Sequence, residues 1–302
     1  MYNFILIFVF LFLGLILQNI KGFPIGVYKI LNTIVIYFCL PALTLYYIPK
    51  IGGSDELLYP IGVAWITFTG AYLFFTFFGK KYGWSKKLIG CLIITAGLGN
   101  TSFLGFPIIQ ALYGEEGMKT AILVDQPGSF VVLSTFAIVI ATMYSSGKPN
   151  GFQIAKKIAI FPPFITFLIA CLMNFLDLDF HDNIQFLFQK AGSIITPLAM
   201  LSVGLQLKFY SKSQHWKFLG FGLLYKLILT PALIYLLYVV ILQQHSKMIE
   251  VAVMESAMAP MIMASILATS HGLNPKLSSM MVGFGIPLSF ITLVFWYFIL
   301  QL

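Results

Sequence analysis

Along this chain, apolar runs of roughly twenty residues alternate with short polar breaks from one end to the other. A bilayer core takes about 20 apolar residues per spanning helix, so each run predicts a transmembrane helix. The breaks place spans at 3–19, 25–48, 58–78, 88–112, 118–145, 153–175, 184–207, 215–243, 248–270 and 276–301, ten in all. The charges within the breaks sort by sign. Lys21 and Lys29, then Lys80, Lys81, Lys86 and Lys87, then Lys148, Lys156 and Lys157, then Lys208, Lys212 and Lys217, and Lys276 fall at alternate breaks, which the positive-inside rule assigns to the cytoplasm. The other breaks carry Asp55, Glu56, Glu115, Glu116, Asp177, Asp179, Asp182 and Glu250, with Lys50, Lys119, Lys190 and Lys247 among them. Both termini are thereby expected outside an inner (cytoplasmic) membrane. One span more or fewer would scramble the sorting from that point onward.

The break at Met143–Gln153 divides the spans five and five, giving a first repeat at 1–146 and a second at 152–302. Five is odd, so the second half must cross with opposite orientation, which is the arrangement of an inverted repeat. Short echoes agree: Leu40-Pro41-Ala42-Leu43 with Thr196-Pro197-Leu198-Ala199, and Ala111-Leu112-Tyr113-Gly114 with Thr269-Ser270-His271-Gly272. The expected fold is an all-α membrane protein of ten transmembrane helices, built as two inverted five-helix repeats.

Composition narrows the function. Hydrophobic residues make up 59% of the 302 and charged residues 9%, with a mean hydropathy of +0.93, which excludes a soluble globule. The net charge of +8 contains no arginine and resides in loops, so it reads as topological, and nucleic acid is not an expected partner. Cys39, Cys91 and Cys171 stand singly in apolar runs, and His181, His215, His245 and His271 lie at span ends without ligand spacing; no metal site, cofactor or disulfide is expected. No Lys precedes the run Phe4–Leu17 and no small-residue cleavage site follows it, so it reads as the first span.

Two spans are chemically irregular. Span 4 reads Gly97-Leu98-Gly99-Asn100-Thr101-Ser102-Phe103-Leu104-Gly105-Phe106-Pro107, and span 9 contains Glu255-Ser256-Ala257-Met258-Ala259-Pro260. Proline removes a helical hydrogen bond and glycine lowers the cost of irregular backbone. Lipid cannot satisfy the freed groups, so both interruptions must line a protein cavity. Broken helices in corresponding halves point to one shared site, where half-helix N-termini suit an anion and free carbonyls a cation. Asn100, Thr101, Ser102, Ser256 and the two prolines are the substrate-side candidates.

Three ionisable side chains, Asp125, Glu255 and Lys226, fall inside spans, where each costs about 2.5 to 3.5 kcal/mol and so faces the bundle interior. Asp125 opens Asp125-Gln126-Pro127-Gly128-Ser129, an oxygen-rich stretch that can close a site with Asn100, Thr101 and Ser102 and suits Na⁺ or a carried proton. Gln126, Ser129 and Glu255 join it as coupling candidates. Lys226 can attract a substrate carboxylate, or pair with one of the acids.

At these motifs, together with Leu40–Leu43, Pro197–Leu205 and Pro260–Gly272, the sequence resembles the auxin efflux carrier family over nearly its whole length. The resemblance implies a scaffold and a moving transport domain, elevator-type exchange of small organic anions, and a homodimer. It also implies that Pro107 and Pro260 mark the crossing of spans 4 and 9, with Asn100 beside the substrate carboxylate. Bacterial relatives are linked with dicarboxylates such as malate or malonate. The long central loop of the plant carriers is missing here, and Glu255 stands where their motif is apolar, which argues against auxin itself. A glutamate at that point instead resembles the sodium-coupled bile-acid symporters, a related fold of the NhaA type, and implies cation coupling.

Two other readings compete. An uncoupled carrier or channel can also be built from broken helices, but no acidic ring or carbonyl-rich filter repeat is present. An intramembrane aspartyl protease needs a Gly-x-Gly-Asp motif, whereas Asp125 follows Ile122-Leu123-Val124; no catalytic residue is expected.

Overall fold

The computed structural model describes residues 2–24, 26–51, 55–145, 152, 160–207 and 215–302. Among them the chain is all helical, without strands. The helices are α1 (Tyr2–Leu17), α2 (Val27–Lys50), α3 (Leu58–Lys81), α4 (Lys86–Gly97), α5 (Thr101–Tyr144), α6 (Pro162–Phe175), α7 (Asp182–Gln206), α8 (Trp216–Ile241), α9 (Lys247–Ser256), α10 (Ile262–Ser270) and α11 (Pro275–Leu300). Six of these, α2, α3, α5, α7, α8 and α11, are long and apolar enough to cross a membrane, and α1 and α6 are shorter apolar helices. The junction between the expected halves, the start of the sixth expected span, and Lys148, Lys156, Lys157, Lys208 and Lys212 lie outside the described residues.

Local chemistry sets the ends. Ser85 caps α4 by accepting from the Leu88 amide at 3.3 Å, and Asn274 caps α11 just ahead of Pro275, the residue best suited to a first helical position. Asn174 of α6 donates to the carbonyls of Pro49 (3.0 Å) and Ile51 (2.6 Å) where α2 runs out. Helices α1 and α7 pack closely where Gly14 meets Gly204, near enough that a Cβ on Gly14 would sit 2.8 Å from the Gly204 Cα.

Spans 4 and 5 were expected to be separated at 112–118; α5, 44 residues counted end to end, is two helical segments that meet at a kink inside that break, at Gly114. A straight helix of that length would measure about 66 Å, twice a bilayer core. It does not run straight: Gly114 leaves helical geometry at φ 63 and ψ −149, and the hydroxyls of Thr101 and Ser102 touch Asp125, residues that a straight helix would hold roughly 35 Å apart. The chain doubles back at the glycine. Helix-favouring Glu116 and Lys119, paired at 2.8 Å, keep the flanking turns wound.

Much of the outer surface is apolar, while the interior combines apolar clusters with a few buried polar groups, Asp125, Lys226 and Glu255 among them. On α11, Ile291, Val294, Phe295 and Phe298 form an exposed stripe at helical spacing, and Leu168, Leu172 and Phe175 do the same on α6. In contrast, every residue of α4 from Leu88 to Gly97 and of α9 from Val251 to Ser256 is buried. The two irregular helices are thus enclosed by the others, as backbone that lipid cannot satisfy must be.

Candidate functional site

The interrupted helices meet end to end in pairs. Helix α4 stops at Gly97, Leu98 is extended (φ −120, ψ 132), and α5 begins at Thr101. Helix α9 stops at Ser256, Met261 is extended (φ −67, ψ 129), and α10 begins at Ile262. Between these ends the segments run antiparallel: Asn100 N–H donates to Ala259 O at 2.8 Å and Met261 N–H donates to Leu98 O at 3.0 Å. Gly99 and Pro260 sit opposite each other between those two bonds. That is the position of an antiparallel pair whose own amides are not called upon, so the missing N–H of Pro260 leaves nothing unsatisfied.

Pro107, expected to mark the crossing in span 4, lies elsewhere. The helix resumes with a π-helical turn at Thr101–Gly105 and continues as α-helix from Phe106, so Pro107 occupies the start of a regular stretch. Ahead of the proline the helix is widened, with Phe106 N–H reaching back five residues to Thr101 O, one of the irregularities that accompany a proline inside a helix. Glycine and asparagine, not the proline, mark where this helix opens.

Past the crossing, α5 folds Asp125 back onto Thr101 and Ser102. Asp125 Oδ1 accepts from Thr101 Oγ1 at 2.6 Å and Ser102 Oγ at 2.5 Å, and Oδ2 accepts from Gln126 Nε2 at 3.1 Å. The expected union of these residues is therefore present in all but one member, since the side-chain amide nitrogen of Asn100 is buried without a partner. Ser129 is buried in the same π-helical stretch, Val124–Phe130. Asn100, Ser102 and Asp125 face a cavity of about 80 Å³, completed by Asn32 of α2 and by Phe103 and Met261. A single water needs roughly 10–15 Å³ on this scale, so the space fits a small polar head group.

Asn32 was not singled out from the sequence. It accepts a short hydrogen bond from Ser202 of α7 and brings a second amide to the cavity wall. The only signal was a neutral amide in an apolar run, which carries none of the cost that makes a membrane charge conspicuous.

Glu255 and Lys226 lie on the other side of the crossing. Glu255 is fully buried, and neither carboxylate oxygen has a hydrogen-bond partner. The Gly105 backbone closes on it so tightly that a Cβ there would sit 2.6 Å from Oε1. Lys226 is 1% exposed and lies in a π-helical turn, Tyr225–Leu229, a geometry frequent at functional sites. Its ammonium does not pair with either acid: no ion pair within 4 Å joins them among the described residues. Instead Nζ donates to Ser256 O at 2.7 Å, at the last turn of α9, where the helix dipole favours positive charge. The Ser256 hydroxyl turns back to Val253 O at 2.6 Å. Among the described residues no group of His, Cys, Asp and Glu could hold a metal ion.

Comparison with known proteins agrees in kind. A family profile described as membrane transport protein matches residues 1–297. An uncharacterized transporter of Methanocaldococcus jannaschii is 29% identical over 289 residues, covering 90% of this chain and 89% of the relative. An uncharacterized transporter of Methanothermobacter thermautotrophicus is 27% identical over 273 residues, covering 88% and 87%.

Proposed function

The chain belongs to the membrane transport protein family, and from that premise we propose that it is a secondary active carrier of small organic anions, dicarboxylates among them. The anion binds in the cavity beside the crossing. One observation carries this reading: the buried, unpartnered side-chain nitrogen of Asn100 on the wall of that cavity. A buried donor left empty costs about 1–3 kcal/mol, and a carboxylate oxygen removes the cost. The amide of Asn32, if its nitrogen turns inward, adds a second donor, and the N-terminal turn of α5 adds partial positive charge.

Ten crossings, in two inverted repeats at 1–146 and 152–302 with both termini outside the cytoplasmic membrane, form the architecture of this reading. The sorting of lysines supports it, and so does the occurrence of one interrupted helix in each half. Exchange proceeds by an elevator movement of the crossing against the remaining helices, in a homodimer, coupled to a cation through Glu255. Asp125 accepts from three donors and positions the Thr101–Ser102 turn; that engagement also disfavours the acid-base work of a protease.

Uptake of radiolabelled malate or malonate by purified protein in liposomes tests the proposal. Saturable uptake driven by an imposed Na⁺ or pH gradient, and lost in Asn100→Ala, is the expected result. Conductance at channel rates, or no flux with any small carboxylate, overturns it.

A further inference from the structure

The crossing contains a buried amine of its own. The Lys226 ammonium reaches the carbonyl of Ser256 at 2.7 Å and passes so close to Gly99 that a Cβ on that residue would lie 3.1 Å from Nζ. The carbonyl of Glu255 borders the same space, 3.4 Å from that Cβ position. A free carbonyl end of a helix beside a buried carboxylate is what would attract an alkali ion. Here a side chain from α8 supplies a donor nitrogen, and Gly99 provides the room for it.

Glu255 has the complementary problem. Its two oxygens are sealed from solvent and from every donor, the Gly105 backbone lies against them, and Lys226 is committed to Ser256. The charged groups whose fields reach it are Asp125, which repels a second negative charge, and Lys226, which attracts it. An ionised carboxylate so placed, with no hydrogen bond to it, is strongly disfavoured. A proton cancels that cost and needs no space.

Building on the carrier reading, we infer that Lys226 is a tethered substitute for an alkali cation at the end of α9, and that Glu255 is a proton-binding site, so that the exchangeable cation is H⁺ and not Na⁺. The proton resides on a Glu255 oxygen in the closed state. It leaves to water when movement of the crossing opens the carboxyl group, and the carboxylate left behind can then pair with Lys226.

Infrared spectroscopy on the purified protein reads this without any transport. At neutral pH the wild type should show the C=O band of a protonated carboxylic acid. The band should be lost in the isosteric Glu255→Gln, retained in Asp125→Asn, and unchanged when Na⁺ replaces choline. Lys226→Ala, which vacates the carbonyl end, should melt higher in Na⁺ than in choline, a difference the wild type lacks. The wild-type spectra decide the matter even if that variant does not fold. Absence of a Glu255-dependent band, removal of the band by Na⁺, or Na⁺-dependent stabilisation of the wild type overturns the inference. A band with no anion uptake would instead fail the carrier reading alone, and Na⁺-driven uptake without the band would fail this inference alone.

Discussion

The backbone amide of Asn100 donates to the carbonyl of Ala259 across 2.8 Å, which fastens two helix breaks from opposite halves of the chain to each other. The residue that presents its side chain to the cavity therefore has its main chain held by the other interrupted helix. Binding geometry and crossing geometry are one feature. The amides of Asn100 and Met261 should consequently exchange with deuterium as slowly as those of the buried α4, although the backbone around them is not helical. Exchange at loop-like rates would show that the two bonds do not persist.

Gly105 is required by the Glu255 carboxylate. Adding one methyl group in Gly105→Ala places a carbon 2.6 Å from Oε1 and 2.9 Å from Cδ, closer than van der Waals contact allows, and either the π-helical turn or the carboxylate must move. Transport should fall at least tenfold. Gly220→Ala, on α8 with nothing within 4 Å of the added carbon, should leave it unchanged. Equal activity of the two variants would remove Gly105 from the site.

Asp125 holds the α5 fold-back through acceptors alone. Asp125→Asn converts one acceptor oxygen into a donor facing donors, and hydrogen bonds to a charged group contribute about 1.5–3 kcal/mol. The variant should be less stable by about 2 kcal/mol in chemical unfolding, whereas Ser129→Ala, outside the hydrogen-bonded set on Asp125, should be within about 0.5 kcal/mol of wild type.

The tight pairing of α1 with α7 gives a test remote from the site. A Cβ on Gly204 would meet the Gly14 Cα at 2.9 Å and the Leu15 amide nitrogen at 3.1 Å, so Gly204→Val must push the helices apart. A loss of about 2–3 kcal/mol is expected from overpacking, visible as a lowered melting temperature. An unchanged melt would mean that this crossing is not maintained in solution.

Much of this arrangement is written in residue types. Glycine, proline and short polar side chains clustered inside apolar runs placed both interruptions, because backbone freed by such a cluster must face protein and not lipid. The partnership of Asp125 with Thr101 and Ser102 followed from the cost of a buried charge. Position within each interruption was harder to read. Pro107 drew attention as a helix breaker, yet the helix continues through it behind a π-helical turn, and the opening lies at Gly99. The break around Gly114 was legible from Glu115 and Glu116, but the residue at which the chain reverses was not, because its flanking residues are good helix formers. The Lys226 partner was illegible for another reason: a backbone carbonyl has no sequence signature, whereas acids such as Glu255 are visible as candidates. Asn32 escaped because a neutral amide is affordable almost anywhere in a helix bundle.

Thermal unfolding of the purified protein with a series of small carboxylates tests the anion site most directly. A dicarboxylate at one hundred times its dissociation constant should stabilise the wild type by about 2.7 kcal/mol. Asn100→Ala, which keeps the amide bond to Ala259 and so melts close to wild type without ligand, should lose that stabilisation. Equal stabilisation of both proteins by the same carboxylate would contradict an anion site at the crossing.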